Sequence, residues 1–131
     1  MAFTWSAQYE TNISKVDEQH QTIINQINQL LEQMKLGKAR HELKELLTFL
    51  DSYTKKHFAD EEKIMTANKC PLEEVNKQQH ALFIAKLEEF QSRFEKENAS
   101  AALTLSVQKE LMDWFVNHIV KIDLKMKECV K

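Results

Sequence analysis

The stretch ELKELLTFLDSYTKKHFADEEKIM, residues 42–65, decides the fold of this chain. Its apolar residues recur every three or four positions, which is the period of one face of an α-helix. His57 and Glu61 lie on that same face, one helical turn apart. The stretch therefore predicts a long amphipathic helix with a histidine and a carboxylate on its buried side.

The same period predicts three further helices along the chain. We place the four helices at about residues 17–36, 39–66, 71–95 and 103–128. Asp17 is the expected N-cap of the first helix, Gly37 follows its end, and Pro71 suits the first turn of the third. Residues 1–12 show no sustained helical period, so they are predicted to form an extended arm whose aromatic side chains pack on the bundle.

Length and composition indicate one all-α domain. The 131 residues match one ordinary domain, so residues 1–131 are expected to form a single unit. One glycine and one proline leave almost no turn chemistry for a multi-stranded sheet. Four amphipathic helices with short connections pack most simply as an antiparallel up-down-up-down four-helix bundle.

Charge and hydropathy argue against several classes of partner. The chain has 18 basic and 20 acidic residues, a net charge of -2 and no long block of either sign, which argues against nucleic acid. No apolar run approaches the roughly 20 residues that span a bilayer, and the N-terminus lacks the features of a signal peptide. We therefore expect a cytoplasmic protein without membrane insertion, in which Cys70 and Cys129 remain free thiols.

The histidines fall at one level of this bundle. His57, His80 and His118 each lie about nine residues from the same end, which is roughly 13 Å along a helix. His20 lies near the start of the first helix, within a turn or two of that level. Each of the four helices thus brings one histidine, on its apolar face, to a common layer.

These residues have the donor types of a metal site. Glu61 and Asp123 are carboxylates among apolar neighbours, where an unpaired charge is costly, and His57 and Glu61 can reach one metal centre. Mixed imidazole and carboxylate ligands suit iron, zinc or manganese, and six candidates are too many for one tetrahedral site. The alternative is a core network of histidine–carboxylate hydrogen bonds. Asp123 follows His118 by five residues, so a π-type turn or a bridging position is needed to bring both to one site.

The order and spacing of these residues resemble the bacteriohemerythrins over nearly the whole chain. The matching segments are TWSAQYETNISKVDEQH with His20, HFADEEKIM with His57 and Glu61, CPLEEVNKQQHALF with His80, and WFVNHIVKID with His118 and Asp123.

The resemblance implies two iron ions, cycling between Fe2+ and Fe3+ and joined by an oxo or hydroxo bridge, in a monomer that binds dioxygen. It implies that His20 and His57 ligate the iron that binds dioxygen and that His80 and His118 ligate the other. Glu61 and Asp123 would bridge the two ions. The implied function is an oxygen carrier, store or delivery protein rather than an enzyme.

One position departs from the family pattern. The family usually has a further histidine four residues before the one that matches His80, and this chain has Asn76 there. Asn76 is expected to face the metals as a weaker amide ligand, to leave a water in the ligand's place, or to be supplemented by Glu73 on the same face. An open position there would favour the alternative functions, which are a di-iron oxidase, peroxidase or nitric oxide reductase, or an oxygen or iron sensor.

Overall fold

The computed structural model describes residues 3–98 and 100–130. Its four long helices are α1 (Ser14–Lys35), α2 (Ala39–Ala67), α3 (Glu73–Glu97) and α4 (Ala101–Lys121). A fifth, short helix, α5, spans Met126–Cys129. Residues 1 and 2 of the predicted arm, and residue 131 at the end of the predicted domain, lie outside the described residues.

The four long helices form the predicted bundle. α1 and α3 each pack on both α2 and α4, and the described residues contain no strand. Because the connections are short, successive helices run in opposite directions. The all-α four-helix bundle predicted from the sequence is confirmed. Among the described residues, no helix is both long and apolar enough to cross a membrane.

Gly37 ends α1, and Ser100 caps the start of α4. Gly37 adopts a φ of 75° after α1, a conformation that only glycine adopts without strain, and its N–H donates to the carbonyl of Met34. The hydroxyl of Ser100 accepts a hydrogen bond from the N–H of Leu103 at 3.1 Å and so caps α4. Gly37 is the chain's only glycine, so the other connections between the long helices form without one.

Two of the predicted helix starts are wrong. α1 begins at Ser14, so Asp17 lies within its first turn rather than at the N-cap. The Asp17 carboxylate instead accepts hydrogen bonds from the N–H and the hydroxyl of Thr11, which fixes the arm to the helix. Pro71 lies before α3 rather than in its first turn, because the chain makes a turn in which Glu73 N–H donates to the Cys70 carbonyl.

The last predicted helix, 103–128, is interrupted. α4 ends at Lys121, Ile122 adopts φ −121° and ψ −58°, and a single 3-10 turn spans Asp123–Lys125 before α5. The backbone rotates at Ile122 without any glycine or proline. This rotation changes the direction in which Asp123 points relative to a continuous helix.

The two cysteines form a disulfide, so the expectation of free thiols is wrong. Cys70 lies in the turn between α2 and α3, and Cys129 ends α5. Their Cα atoms are 5.4 Å apart, and the bond joins residues 59 positions apart in sequence. The contact arises because the chain turns at Ile122 and carries α5 back against the α2–α3 turn.

The core has two apolar clusters with a polar layer between them. The larger cluster fills the body of the bundle and includes Ile23, Leu50 and Phe115. The smaller cluster closes one end and consists of Val16, Met65, Cys70, Ile122 and Met126.

The arm lies against the larger cluster, as predicted. Phe3, Trp5 and Tyr9 pack on it, although residues Ala7–Tyr9 form one 3-10 turn rather than extended chain. The backbone N–H and carbonyl of Phe3 both bond to the side-chain amide of Asn28 on α1. The arm therefore covers the α1 side of the bundle.

Candidate metal centre

The polar layer contains seven of the eight side chains that the sequence indicated as possible ligands, Glu73 being the exception. All seven are buried, and each comes from the apolar face of a long helix or from the turn after α4. They are His20, His57, Glu61, Asn76, His80, His118 and Asp123.

Glu61 lies at the centre of the layer, with the four histidines around it. Its Oε2 atom is 3.3 Å from the Nε2 atoms of both His20 and His57. Its Oε1 atom is 3.1 Å from Nε2 of His80 and 3.8 Å from Nε2 of His118. One carboxylate oxygen thus faces each pair of histidines.

Asp123 divides its oxygens in the same way. Oδ2 lies 3.0 Å from Nε2 of His20, and Oδ1 lies 3.3 Å from Nε2 of His118. The 3-10 turn after α4 gives Asp123 this position, and it replaces the π-type turn that the five-residue spacing from His118 suggested. The alternative suggested by the spacing, a carboxylate placed between two metal positions, agrees with this geometry.

Potential ligand atoms form two overlapping groups. One group contains His20, His57, Glu61 and Asp123, and the other contains Glu61, His80 and His118. Within each group the donor atoms lie within 4.8 Å of one another. Such spacing lets several donors converge on one ion, and Glu61 belongs to both groups.

Several polar atoms of the layer lack hydrogen bonds. Both oxygens of Asp123, Nδ1 of His20, both ring nitrogens of His118 and Oδ1 of Asn76 are buried without a well-aligned hydrogen-bond partner in the described part of the chain. A buried carboxylate without hydrogen bonds costs folding free energy. In the protein alone, Asp123 is satisfied among the described residues only by ion pairs with His20 and His118, which require protonated imidazoles. Metal ions of the imidazole and carboxylate class would satisfy it, so the residues present fit a pair of such ions.

Electrostatics favour the charged forms of His20, His118 and Glu61 when no metal is present. Burial alone would lower the pKa of His20, but Asp123 and Glu61 more than offset this and raise it to about 9. The same opposition, with the charge of Asp123 as the largest favourable cause, raises the pKa of His118 to about 9. Burial alone would raise the pKa of Glu61, but its close contacts with the four histidines hold this pKa well below its usual value.

Two residues that sequence analysis missed support the histidines from outside the layer. Nδ1 of His57 lies 2.6 Å from Oε1 of Gln19, whose Nε2 in turn donates to Asp60. Nδ1 of His80 lies 2.8 Å from Oε2 of Glu62. These contacts leave Nε2 of both histidines facing Glu61, which is the orientation that a ligand needs. The only sequence signal was their position directly beside His20 and Glu61.

Asn76 faces the layer, as predicted, but Glu73 does not. The Nδ2 atom of Asn76 donates to Oε1 of Glu61 at 3.2 Å. The Glu73 carboxylate instead accepts a hydrogen bond from Thr66 and pairs with Lys77 outside the core. Glu73 therefore does not supplement Asn76, and that part of the sequence interpretation is wrong. His41 is exposed, as expected of a residue outside the motif.

Aromatic rings enclose the layer. Phe58 stacks on His80 with ring centres 3.8 Å apart, and Trp114 stacks on His118 at 4.7 Å. The edge of Phe115 meets His20 at 5.4 Å. These contacts fix the imidazole planes and exclude water from the side of the larger apolar cluster.

Comparison with known proteins gives a consistent result. Residues 11–130 match the family model described as the hemerythrin HHE cation binding domain. Similar proteins include a bacteriohemerythrin of Pseudomonas paraeruginosa, 31% identical over 97% of this chain and 80% of that protein. A bacteriohemerythrin of Methylococcus capsulatus is 29% identical over 97% of this chain and 95% of that protein. A hemerythrin of Phascolopsis gouldii is 27% identical over 95% of this chain and 90% of that protein.

Proposed function

The chain belongs to the hemerythrin family, and on that premise we propose that it holds two iron ions around Glu61 and binds dioxygen reversibly, as an oxygen carrier, store or delivery protein. The observation that carries the proposal is the division of both carboxylates. Glu61 and Asp123 each direct one oxygen toward His20, while the other oxygen faces His80 and His118 in Glu61 and His118 in Asp123. That arrangement suits two adjacent ions that share both carboxylates.

Each proposed ion has an equivalent set of protein donors. His20 and His57 would hold one ion, together with Oε2 of Glu61 and Oδ2 of Asp123. His80 and His118 would hold the other, together with Oε1 of Glu61 and Oδ1 of Asp123. The ions would supply the electrons on which reversible dioxygen binding depends, and an oxo or hydroxo bridge between them forms part of this proposal.

Four buried apolar residues next to the layer would exclude water from the bound gas. Ile23, Ile24, Leu111 and Phe115 are at most 1% exposed and belong to the apolar cluster above the layer. Phe115 contacts both His20 and His57. An apolar environment on this side would deny protons to the bound gas and slow irreversible oxidation.

An alternative proposal is a di-iron redox enzyme, an oxidase, peroxidase or nitric oxide reductase. The orphaned Oδ1 of Asn76 favours it, since an amide there gives the second ion a weaker donor set than a third imidazole would. Multiple turnover with a reductant would distinguish such an enzyme from stoichiometric gas binding. A sensor of oxygen or iron is a further alternative, and it would require a partner that receives the signal.

We also propose that the protein is a cytoplasmic monomer. The expectation of free thiols followed from that location, and the Cys70–Cys129 disulfide is unusual for a reducing compartment. Cell fractionation tests the compartment, and size-exclusion chromatography with light scattering tests the assembly.

Anaerobic reconstitution with Fe2+ tests the main proposal. We expect two irons per chain and an optical spectrum that changes reversibly through repeated cycles of air and argon. Bleaching to a ferric state after one cycle would contradict reversible binding and favour redox chemistry. An iron content below two per chain would contradict the two-ion site itself.

A further inference from the structure

Asn76 lies beside the histidine pair that is proposed to hold the second ion. It is fully buried on α3, one turn before His80. Its Nδ2 atom is 3.2 Å from Oε1 of Glu61, the same oxygen that faces His80 and His118. The Asn76 amide therefore lies near the pair His80 and His118 rather than near the pair His20 and His57.

The amide is oriented as a hydrogen-bond donor toward the layer. Its Nδ2 atom donates to Oε1 of Glu61 and to Sδ of Met65, whereas its Oδ1 atom is buried with no partner among the described residues. In this orientation Asn76 contributes no lone pair to the second ion. The protein donors of that ion are then two imidazoles and two carboxylate oxygens, fewer than the five or six that iron commonly takes.

Met65 separates this position from a cavity at the end of the bundle. Met65 contacts the Asn76 amide, with Sδ 3.3 Å from Nδ2, and it also lines a cavity of about 440 Å³. The other lining residues are Leu72, Met126, Pro71 and the Cys70–Cys129 disulfide, with the charged side chains of Lys125 and Glu128. The opposite side of the layer is different, because the arm residue Trp5 covers His20 there, at 6.4 Å between ring centres.

We propose that Asn76 creates a second binding position for a small neutral diatomic molecule, reached past Met65 and distinct from the dioxygen position beside His20 and His57. The inference rests on the proposed two-ion site. Met65 lies between the cavity and Asn76 and presents an apolar thioether to an entering molecule, which favours an uncharged ligand. A fully loaded chain therefore binds two such molecules.

Nitric oxide is a suitable probe because it is small and neutral and binds ferrous iron. The iron content of the anaerobic protein is counted first, and nitric oxide is then titrated while the visible and electron paramagnetic resonance spectra are followed. We expect two nitric oxide molecules per two irons in the wild type. Asn76→His supplies a third imidazole to the second ion and should reduce the count to one. Gln78→His, an exposed substitution two residues along the same helix, should keep two.

The wild-type count decides the proposal even if Asn76→His does not fold. Two irons with one nitric oxide would overturn it and leave the proposed oxygen-binding function intact. Fewer than two irons would overturn both. Cobalt(II) provides a second readout, since its visible bands weaken as its coordination number rises. We expect weaker bands in Asn76→His than in the wild type, and identical bands in the two would contradict the open position.

Discussion

Oε2 of Glu62 lies 2.8 Å from Nδ1 of His80, whereas the matching nitrogen of His57 faces the neutral Oε1 of Gln19 at 2.6 Å. One proposed ion is therefore supported through a carboxylate and the other through an amide. A carboxylate behind a ligating imidazole makes the imidazole a stronger donor. Glu62 thus strengthens the donors on the side of the centre where Asn76 supplies no lone pair.

The first prediction concerns this outer contact. Glu62→Gln should lower the metal affinity of the second ion about 10- to 100-fold, the usual loss when such a partner is removed. The first ion should be little affected, so a metal titration should change from two tight sites to one tight and one weak site. Glu88→Gln, an exposed change on α3, is the matched control. Unchanged binding at both sites would show that Glu62 only fills space.

A second prediction follows from the charge state of the metal-free layer. The pKa values of His20 and His118 are about 9, because Asp123 and Glu61 outweigh the effect of burial. Both imidazoles are then protonated near pH 7 and must lose their protons to bind metal. Zinc binding at pH 7 should therefore release about two protons per chain, as measured by calorimetry in buffers of different ionisation enthalpy.

The same pKa shifts determine how stability depends on pH. In the folded, metal-free protein these pKa values lie above the unfolded value of about 6.5. Their stabilisation is fully present below about pH 6.5 and is lost as the pH rises through about 9. The denaturation midpoint of the metal-free protein should fall over that range. His41→Gln, an exposed histidine change, should leave both measurements unaltered, and buffer-independent zinc binding would contradict the assignment.

The sequence was sufficient to predict α2 and its ligand pair, but not the position of Asp123. The period of residues 42–65 and the i, i+4 pair His57 and Glu61 depend on helix geometry alone, so both could be predicted. Asp123 could not be positioned, because the helix breaks at Ile122 without glycine or proline. Chain packing, rather than a local residue preference, determines that break.

The helix starts and the disulfide show the same limit. Asp17 has the residue type of an N-cap, but a contact with Thr11 in the arm takes its carboxylate. Cys70 and Cys129 meet only because α5 folds back on the α2–α3 turn. Gln19 and Glu62 were missed because a hydrogen bond to an outer ring nitrogen has no fixed sequence spacing. Contacts between elements, unlike periods within them, depend on the assembled bundle.

A third prediction concerns the apolar side chains near His20 that are proposed to exclude water from the bound gas. Leu111→Ala and Phe115→Ala should each speed irreversible oxidation of the oxygen-bound protein, because water would gain access to the His20 and His57 side. The measurement is the rate at which the oxygenated spectrum decays in air. Leu103→Ala is the control, since Leu103 is equally buried on the same helix but lies two turns further from the layer.

All three of these substitutions should lower stability. Removing a buried leucine or phenylalanine side chain typically costs about 2 to 5 kcal/mol, so stability loss alone cannot explain a difference in rate. Faster decay in Leu111→Ala and Phe115→Ala, with an unchanged rate in Leu103→Ala, would support the proposal that Leu111 and Phe115 exclude water. Unchanged rates in both test variants would rule it out.

The fourth prediction concerns the disulfide at the end of the bundle. It joins residues 59 positions apart and encloses Asn76, His80, His118 and Asp123 within one covalent loop. Restricting the unfolded chain over such a loop stabilises the fold by at most about 4 kcal/mol in an entropic model. The bond also holds α5, and with it the 3-10 turn that orients Asp123.

Replacing both Cys70 and Cys129 with serine should therefore lower the melting temperature and weaken metal binding together. Thermal melts with and without a thiol reductant measure the first effect, and a metal titration measures the second. The wild type should respond to reductant, and the double variant should not. If reductant lowers the melting temperature but leaves metal affinity unchanged, the disulfide stabilises the fold without positioning Asp123, because the Ile122 turn then holds its geometry unaided. Insensitivity of the wild type to reductant would contradict the disulfide's contribution altogether.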